Sequence, residues 1–325
     1  MVRTGSHVYV KYGFETTYAD GSTPNKKFGL QDKLSSLSLT NNRVNLNSLN
    51  QNTVHTFAYG QQQGSASVSF ILSNPWIFGA LLGAPVTAGS STYTHTYAFD
   101  GTTDTNRNIR TIAVQLGYDG ADADIVRTLK GGIINTLSVS AAVGGMVECS
   151  ADITYGVESA PSTTLGTAPS LPAINNPYTF AHAELLVNGS VVAECQDVSL
   201  SINQNAELLY KLNSHSATNA YRKLTDITGS FRASFINKAL LEKVLEQVKL
   251  GTSSGTFSEL VGGSPTFRLT FEKSATEKIV ITGGGLSIGE QSISGLEPNE
   301  PIFEEINWQM KTLTLVATSL TSAEE

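Results

Sequence analysis

Apolar residues recur at every second position along most of this chain. Val68 and Phe70 alternate with Ser67 and Ser69. The same period holds for Leu37 and Leu39, for Ile112, Val114 and Leu116, and for Leu137 and Val139. It returns at Val198, Leu200 and Ile202, at Phe267, Leu269 and Phe271, and at Leu313 and Leu315. A period of two with one apolar face belongs to half-buried strands of antiparallel sheets. Asn188-Gly189, between LLV and VVA, is a strong two-residue hairpin signal. Gly144-Gly145 and Asp119-Gly120 mark further turns. Helix is scarce. Asn237–Leu250 puts Leu241, Val244, Leu245 and Val248 on one face, with Asn237 as N-cap and Gly251 past the end. Asn74–Leu82 is apolar almost all round, so a helix there is buried, with Asn74 capping it and Pro75 in its first turn.

The two halves repeat one another. LSLTNN (37–42) matches LSINQN (200–205), and GSASVSF (64–70) matches GSFRASF (229–235). IAVQL (112–116) matches FRLTF (267–271), LSVS (137–140) matches LSIG (286–289), and VECSADI (147–153) matches the strand at 303–309. Shared order and the strand-to-helix step after the second landmark point to tandem duplication. Between the first two landmarks each half carries a long polar stretch, 40–63 and 203–228. Connections of that length are usually functional or disordered. A pair at equivalent places reads as arms reaching a neighbouring subunit, with Arg43, Asn47, Asn50, Lys211, Asn213, His215, Tyr221 and Arg222 as contact candidates. The stretch 160–177 holds four prolines and no charge and reads as a linker.

Only 15% of the residues are charged, against about 25% in ordinary soluble domains; Ser, Thr, Asn and Gly fill the difference. Such a surface suits a chain buried in an assembly. The net charge is −7, and all of it lies beyond residue 156. That argues against a surface built to grip nucleic acid, which needs clustered Lys and Arg. Cys149 and Cys195 read as buried free thiols, with a disulfide between them left open. No signal peptide is visible at Met1–Gly13, and no stretch approaches a membrane span. His7, His55, His95, His182 and His215 have no metal-binding spacing. Gly283-Gly284-Gly285 lacks the Lys-Ser/Thr of a phosphate loop. Asp119, Asp122 and Asp124 sit at a hairpin tip without the spacing of a calcium loop, so a solvated turn is the simpler reading. Trp76 and Trp308 read as core. The expectation is a non-enzyme with no cofactor and no metal.

SASVSF followed by NPWIFGALLG, the step THTY (94–97), GGIINTLSVSAAVGGMVECSADI, FAHAELLVNGSVVAECQDVSLSINQNAELLY and KLTDITGSFRASFINKALLEKVL form a set. In these runs the chain resembles the phage tail tube protein family, in its two-repeat branch. The resemblance implies a mainly β chain of two tandem tail-tube-type β-sandwich or barrel domains, each with one short helix, and long inter-subunit loops. The expected layout is an N-terminal arm over 1–27, a first β domain over 28–159, the linker 160–177 and a second β domain over 178–320. Rings of such domains stack into a hollow tail tube in the virion, assembled in the host cytoplasm, through which DNA passes without specific binding. The partners implied are copies of the chain itself, as a trimeric pseudo-hexamer first and a hexamer second. Tail completion, baseplate or sheath proteins come next, and no membrane. Glu290, Glu297, Glu300, Glu304 and Glu305, the densest acidic stretch, are the candidates for the channel lining. Two other readings stay open: the tube of a related injection or secretion device, and a tandem β-sandwich carbohydrate-binding or adhesin module.

Overall fold

The computed structural model of the chain describes residues 8–47, 49, 53–99, 110–118, 124–162, 176–187, 189–192, 194–234, 266–295, 297–298 and 300–321. The helix expected at Asn237–Leu250, the turn residues Asp119 and Asp122, Asn50 and Asn188 lie outside these residues. The first half holds β1 (Val8–Phe14), β2 (Leu30–Thr40), β3 (Val44–Leu46), β4 (Thr56–Ala58), β5 (Gln63–Ile71), α1 (Gly79–Leu82), β6 (Val86–Gly89), β7 (Tyr93–Phe99), β8 (Ile112–Tyr118), β9 (Ile125–Ala142), β10 (Glu148–Tyr155) and β11 (Val157–Glu158). The second holds β12 (Ala183–Val187), β13 (Ser190–Val191), β14 (Cys195–Asn203), β15 (Glu207–Leu209), β16 (Asn219–Tyr221), β17 (Asp226–Ser234), β18 (Phe267–Ser274), β19 (Glu277–Gly284), β20 (Ser287–Ser294), β21 (Phe303–Met310) and β22 (Thr312–Ser319). The chain is mainly β, as the alternation requires.

The longest run of paired strands is β2-β5-β10-β9-β14-β17-β21-β20. Every neighbour along it is antiparallel. A second sheet has the order β13-β12-β18-β19-β22-β7-β6. The N-terminal part of β9 leaves the long run and pairs with β8, which pairs in turn with β1. Core side chains fill the space under these sheets. One apolar row crosses the long run through Phe70, Cys149, Val139, Leu200, Trp308 and Ile288, and each is at most 6% exposed. Burying such side chains removes apolar area from water at about 25 cal/mol per Å², which is why the alternation dictates the faces.

Strand order recurs along the chain. The order β2-β5-β10-β9 is followed by β14-β17-β21-β20, joined where β9 meets β14. The short hairpin β3–β4 recurs as β15–β16, 163 positions on (44 to 207, 56 to 219). The pairs Thr40↔Gln63 and Asn203↔Asp226 keep that spacing. It agrees with the LSLTNN and LSINQN match. It puts GSASVSF and GSFRASF two residues out of step, one full pleat, so each face is preserved. The bulge in β9 falls at Asn135 and that in β20 at Gly289. On that count Val139 corresponds to Ile293, and the LSVS with LSIG match is out of register.

Within the span read as an N-terminal arm, Val8–Phe14 forms β1 and pairs along its whole length with β8. Tyr12 is fully buried, against Phe28 and Phe14. The alternation in VYVKY carries that signal. The apolar segment after β5 is one 3-10 turn (Trp76–Phe78) running into α1. Asn74 Oδ1 accepts the Trp76 N–H at 3.2 Å. All residues from Trp76 to Leu82 are buried, as their composition demands. Gly189 has φ +77 in the turn between β12 and β13.

Candidate functional site

The face of the long sheet opposite the core is built of small polar side chains. Residues directly opposite on neighbouring strands share a face. One row therefore crosses eight strands as Lys33, Ser69, Ser150, Ser138, Ser201, Thr228, Gln309 and Ser287. The next row reads Ser36, Ser67, Asp152, Thr136, Asn203 and Asp226. A third runs Glu148, Ser140, Ser199, Ser230, Asn307 and Glu290. Hydroxyls pair across strands, Ser38 with Ser65 at 2.8 Å and Ser199 with Ser230 at 2.9 Å. Ser67 Oγ donates to Asp152 Oδ1 at 2.6 Å. The face carries Glu148, Asp152, Asp197, Asp226, Glu290 and Glu305 against Lys33 and Arg232. It presents acceptors, short side chains and net negative charge.

Of the acidic candidates, Glu290 and Glu305 stand on this face, and Asn307 Nδ2 donates to Glu290 Oε2 at 3.4 Å. Glu297 and Glu300 are exposed in the connection from β20 to β21. Glu304 turns the other way and is 2% exposed, with Gln291 Nε2 donating to its Oε2 at 2.7 Å. Burial pushes the Glu304 carboxyl pKa up. The serine rows, Glu148, Asp152 and Asp197 were not singled out from sequence. Their signal was the identity of the polar partner in each alternating run.

The two polar stretches leave the same end of the sheet, where Thr40, Gln63, Asn203 and Asp226 lie. Both fold as hairpins, β3–β4 and β15–β16. Each tip carries one leucine in open solvent: Leu49 and Leu212 are both 97% exposed. Arg43 stacks its guanidinium 4.7 Å from the Phe57 ring centroid, and Asn47 is exposed. Lys211 and Asn213 flank Leu212, Asn213 with φ 64 in the turn. The other candidates are held within the chain. His215 Nδ1 is 3.0 Å from the Gly60 carbonyl, and the Gln62 N–H donates to the His215 carbonyl at 2.7 Å. The Tyr221 hydroxyl donates to Glu207 across the hairpin, and Lys223 pairs with the same carboxylate. Arg222 donates to the Leu81 carbonyl at the end of α1 and lies 5.2 Å from the Phe99 ring. Burial lowers its pKa to about 10.

Cys149 is buried and Cys195 half-buried; both are free thiols. Burial raises both pKa values, that of Cys195 to about 11. Among the described residues no group of three or more His, Cys, Asp or Glu is placed to hold a metal ion. No described helix is long and apolar enough to cross a membrane.

The family model described as phage tail tube protein matches residues 5–310. No curated protein matches the chain.

Proposed function

The chain belongs to the phage tail tube protein family, and from that premise we propose that its copies close into rings that stack into the tail tube, with the polar face of the long sheet lining the channel. The observation that carries this is the division of that sheet. One face is core, and the other is mostly serine, threonine, asparagine, glutamine and acid across eight strands, with Lys33 and Arg232 as scattered cations. A surface that DNA must slide along needs no basic clusters, because fixed cations would hold phosphates. Short hydroxylated side chains keep the bore wide and wet, and acids repel the passing backbone. Glu290 and Glu305 keep the channel role; Glu297 and Glu300 fit its rim.

The chain supplies two equivalent four-strand units, so three chains make a pseudo-hexameric ring. The β3–β4 and β15–β16 hairpins reach the next ring, with Leu49 and Leu212 as their apolar contacts. An isolated leucine in full solvent gains about 1.5–3 kcal/mol when buried, so its natural place is a neighbour's surface. Tail completion, baseplate or sheath proteins meet the ends and outside of the tube, and assembly takes place in the host cytoplasm.

Negative-stain microscopy of the purified chain, with mass measurement of the smallest ring, tests the reading. Tubes with a central channel and a three-chain ring are expected. A monomer that binds sugar would overturn it in favour of an adhesin module.

A further inference from the structure

The joint between β9 and β14 connects the two four-strand runs inside one chain, and among the described residues the long sheet ends in two edges of the same kind, at β2 and β20. β2 occupies in the first run the place that β14 occupies in the second, and β20 occupies in the second the place of β9 in the first. Counting from the bulges at Asn135 and Gly289, Val139 corresponds to Ile293. Counting back from Thr40 and Asn203, Leu37 corresponds to Leu200 and Leu39 to Ile202.

The apolar residues at these edges differ in one respect. Val139 and Ile202, at the internal joint, are 2% and 1% exposed. Ile293 and Leu39, on these two end strands, are each 41% exposed. A terminal strand of a sheet with partly exposed apolar side chains, as β2 has at Leu39 and β20 at Ile293, is a template for another strand. The chain's own joint shows which strand fits it: a β14-like edge meets a β9-like edge, antiparallel, with Val139 opposite Leu200 and Ser138 opposite Ser201.

We propose that β20 of one copy pairs antiparallel with β2 of a second copy in the register of β9 with β14, placing Ile293 opposite Leu37, Ser292 opposite Ser38 and Glu290 opposite Thr40. This rests on the tube reading and gives it one kind of joint, made alternately within a chain and between chains. A heterologous contact of this kind closes into a ring when every joint turns by the same angle.

Cysteine pairs test the register, because directly opposite residues have Cβ atoms about 4.5–5.5 Å apart, near the reach of a disulfide. Chains carrying Ser38→Cys with Ser292→Cys should give a ladder of covalently joined copies on a non-reducing gel. Thr40→Cys with Ser294→Cys, about four residues out of register and so roughly 13 Å apart, should give none. The single variants control for Cys149 and Cys195. Rings with a channel that cross-link only through the second pair, or through neither, overturn the joint and leave the tube reading standing. A chain that makes no ring overturns the tube reading itself. Leu39→Asp gives a second readout. It should abolish rings while the isolated chain melts at the unsubstituted temperature; rings that persist would also overturn the joint.

Discussion

Gly64 and Tyr155 face each other across the β5–β10 pair, and a β-carbon at 64 would fall 2.0 Å from Tyr155 Cζ. The Tyr155 ring is fully buried, and its hydroxyl donates to the Ser38 carbonyl at 2.9 Å. That bond ties β10 to β2 across β5. Gly64→Ala must displace the ring or spread the strands, and overpacking of this kind costs about 1–3 kcal/mol. A urea titration should show a lower midpoint at unchanged slope. Thr228→Ala, on the exposed face, should change the unfolding free energy by no more than about 0.5 kcal/mol.

Leu49 and Leu212 touch little of their own chain, so changing them should leave folding alone. Leu49→Asp with Leu212→Asp should melt within about 1 °C of the unsubstituted chain, since surface changes of this kind stay within about 0.5 kcal/mol. Rings should form and fail to elongate. Sedimentation and micrograph length distributions read the effect: full-length tubes would refute the arm assignment, and loss of rings would place the leucines in the ring joint instead.

The sheet's faces were legible because burial acts on every second residue, and Val68, Phe70, Leu137 and Val139 all point inward as the alternation says. The recurring strand order was legible as a series of landmarks but not in its register. Serine-rich strands look alike when slid by one pleat, so GSASVSF matched GSFRASF two residues from its place. The hairpin spacing fixes the count for that pair, and the bulges at Asn135 and Gly289 fix it for β9 and β20; a bulge has no reliable sequence mark. β1 was missed because a seven-residue strand beside a polar run carries few alternations to count. The interleaving of β7 with β22 is a long-range choice that no local pattern encodes. Acidic density pointed to Glu304, while its parity in the strand assigns it to the core face.

Glu304 gives a pH test with a definite sign. Its carboxyl is held above the ordinary 4.5 by burial, so the folded chain binds that proton more tightly than the unfolded chain. The resulting stabilisation is present in full below the unfolded value and fades as pH rises through the folded value. Glu304→Gln keeps an oxygen for the Gln291 donor and removes the charge. It should raise the melting temperature by on the order of 2 °C at neutral pH and leave it unchanged near the acid end of the range. A scanning-fluorimetry series across pH checks this; an equal shift at every pH would mean that packing, not ionisation, is what changed.

Glu148 and Asp152 stand exposed on the polar face, and reversing their charge should turn a sliding surface into a gripping one. Each lysine placed there offers a phosphate contact and releases counterions on binding. Tubes carrying Glu148→Lys with Asp152→Lys should co-sediment with short duplex DNA and protect it from nuclease, while unsubstituted tubes do neither. The bound fraction should fall steeply between about 50 mM and about 200 mM salt, as counterion release requires. DNA that pellets but stays open to nuclease would put this face on the outside of the tube. No retention at all would show that the face meets protein instead, and either result would remove the channel assignment.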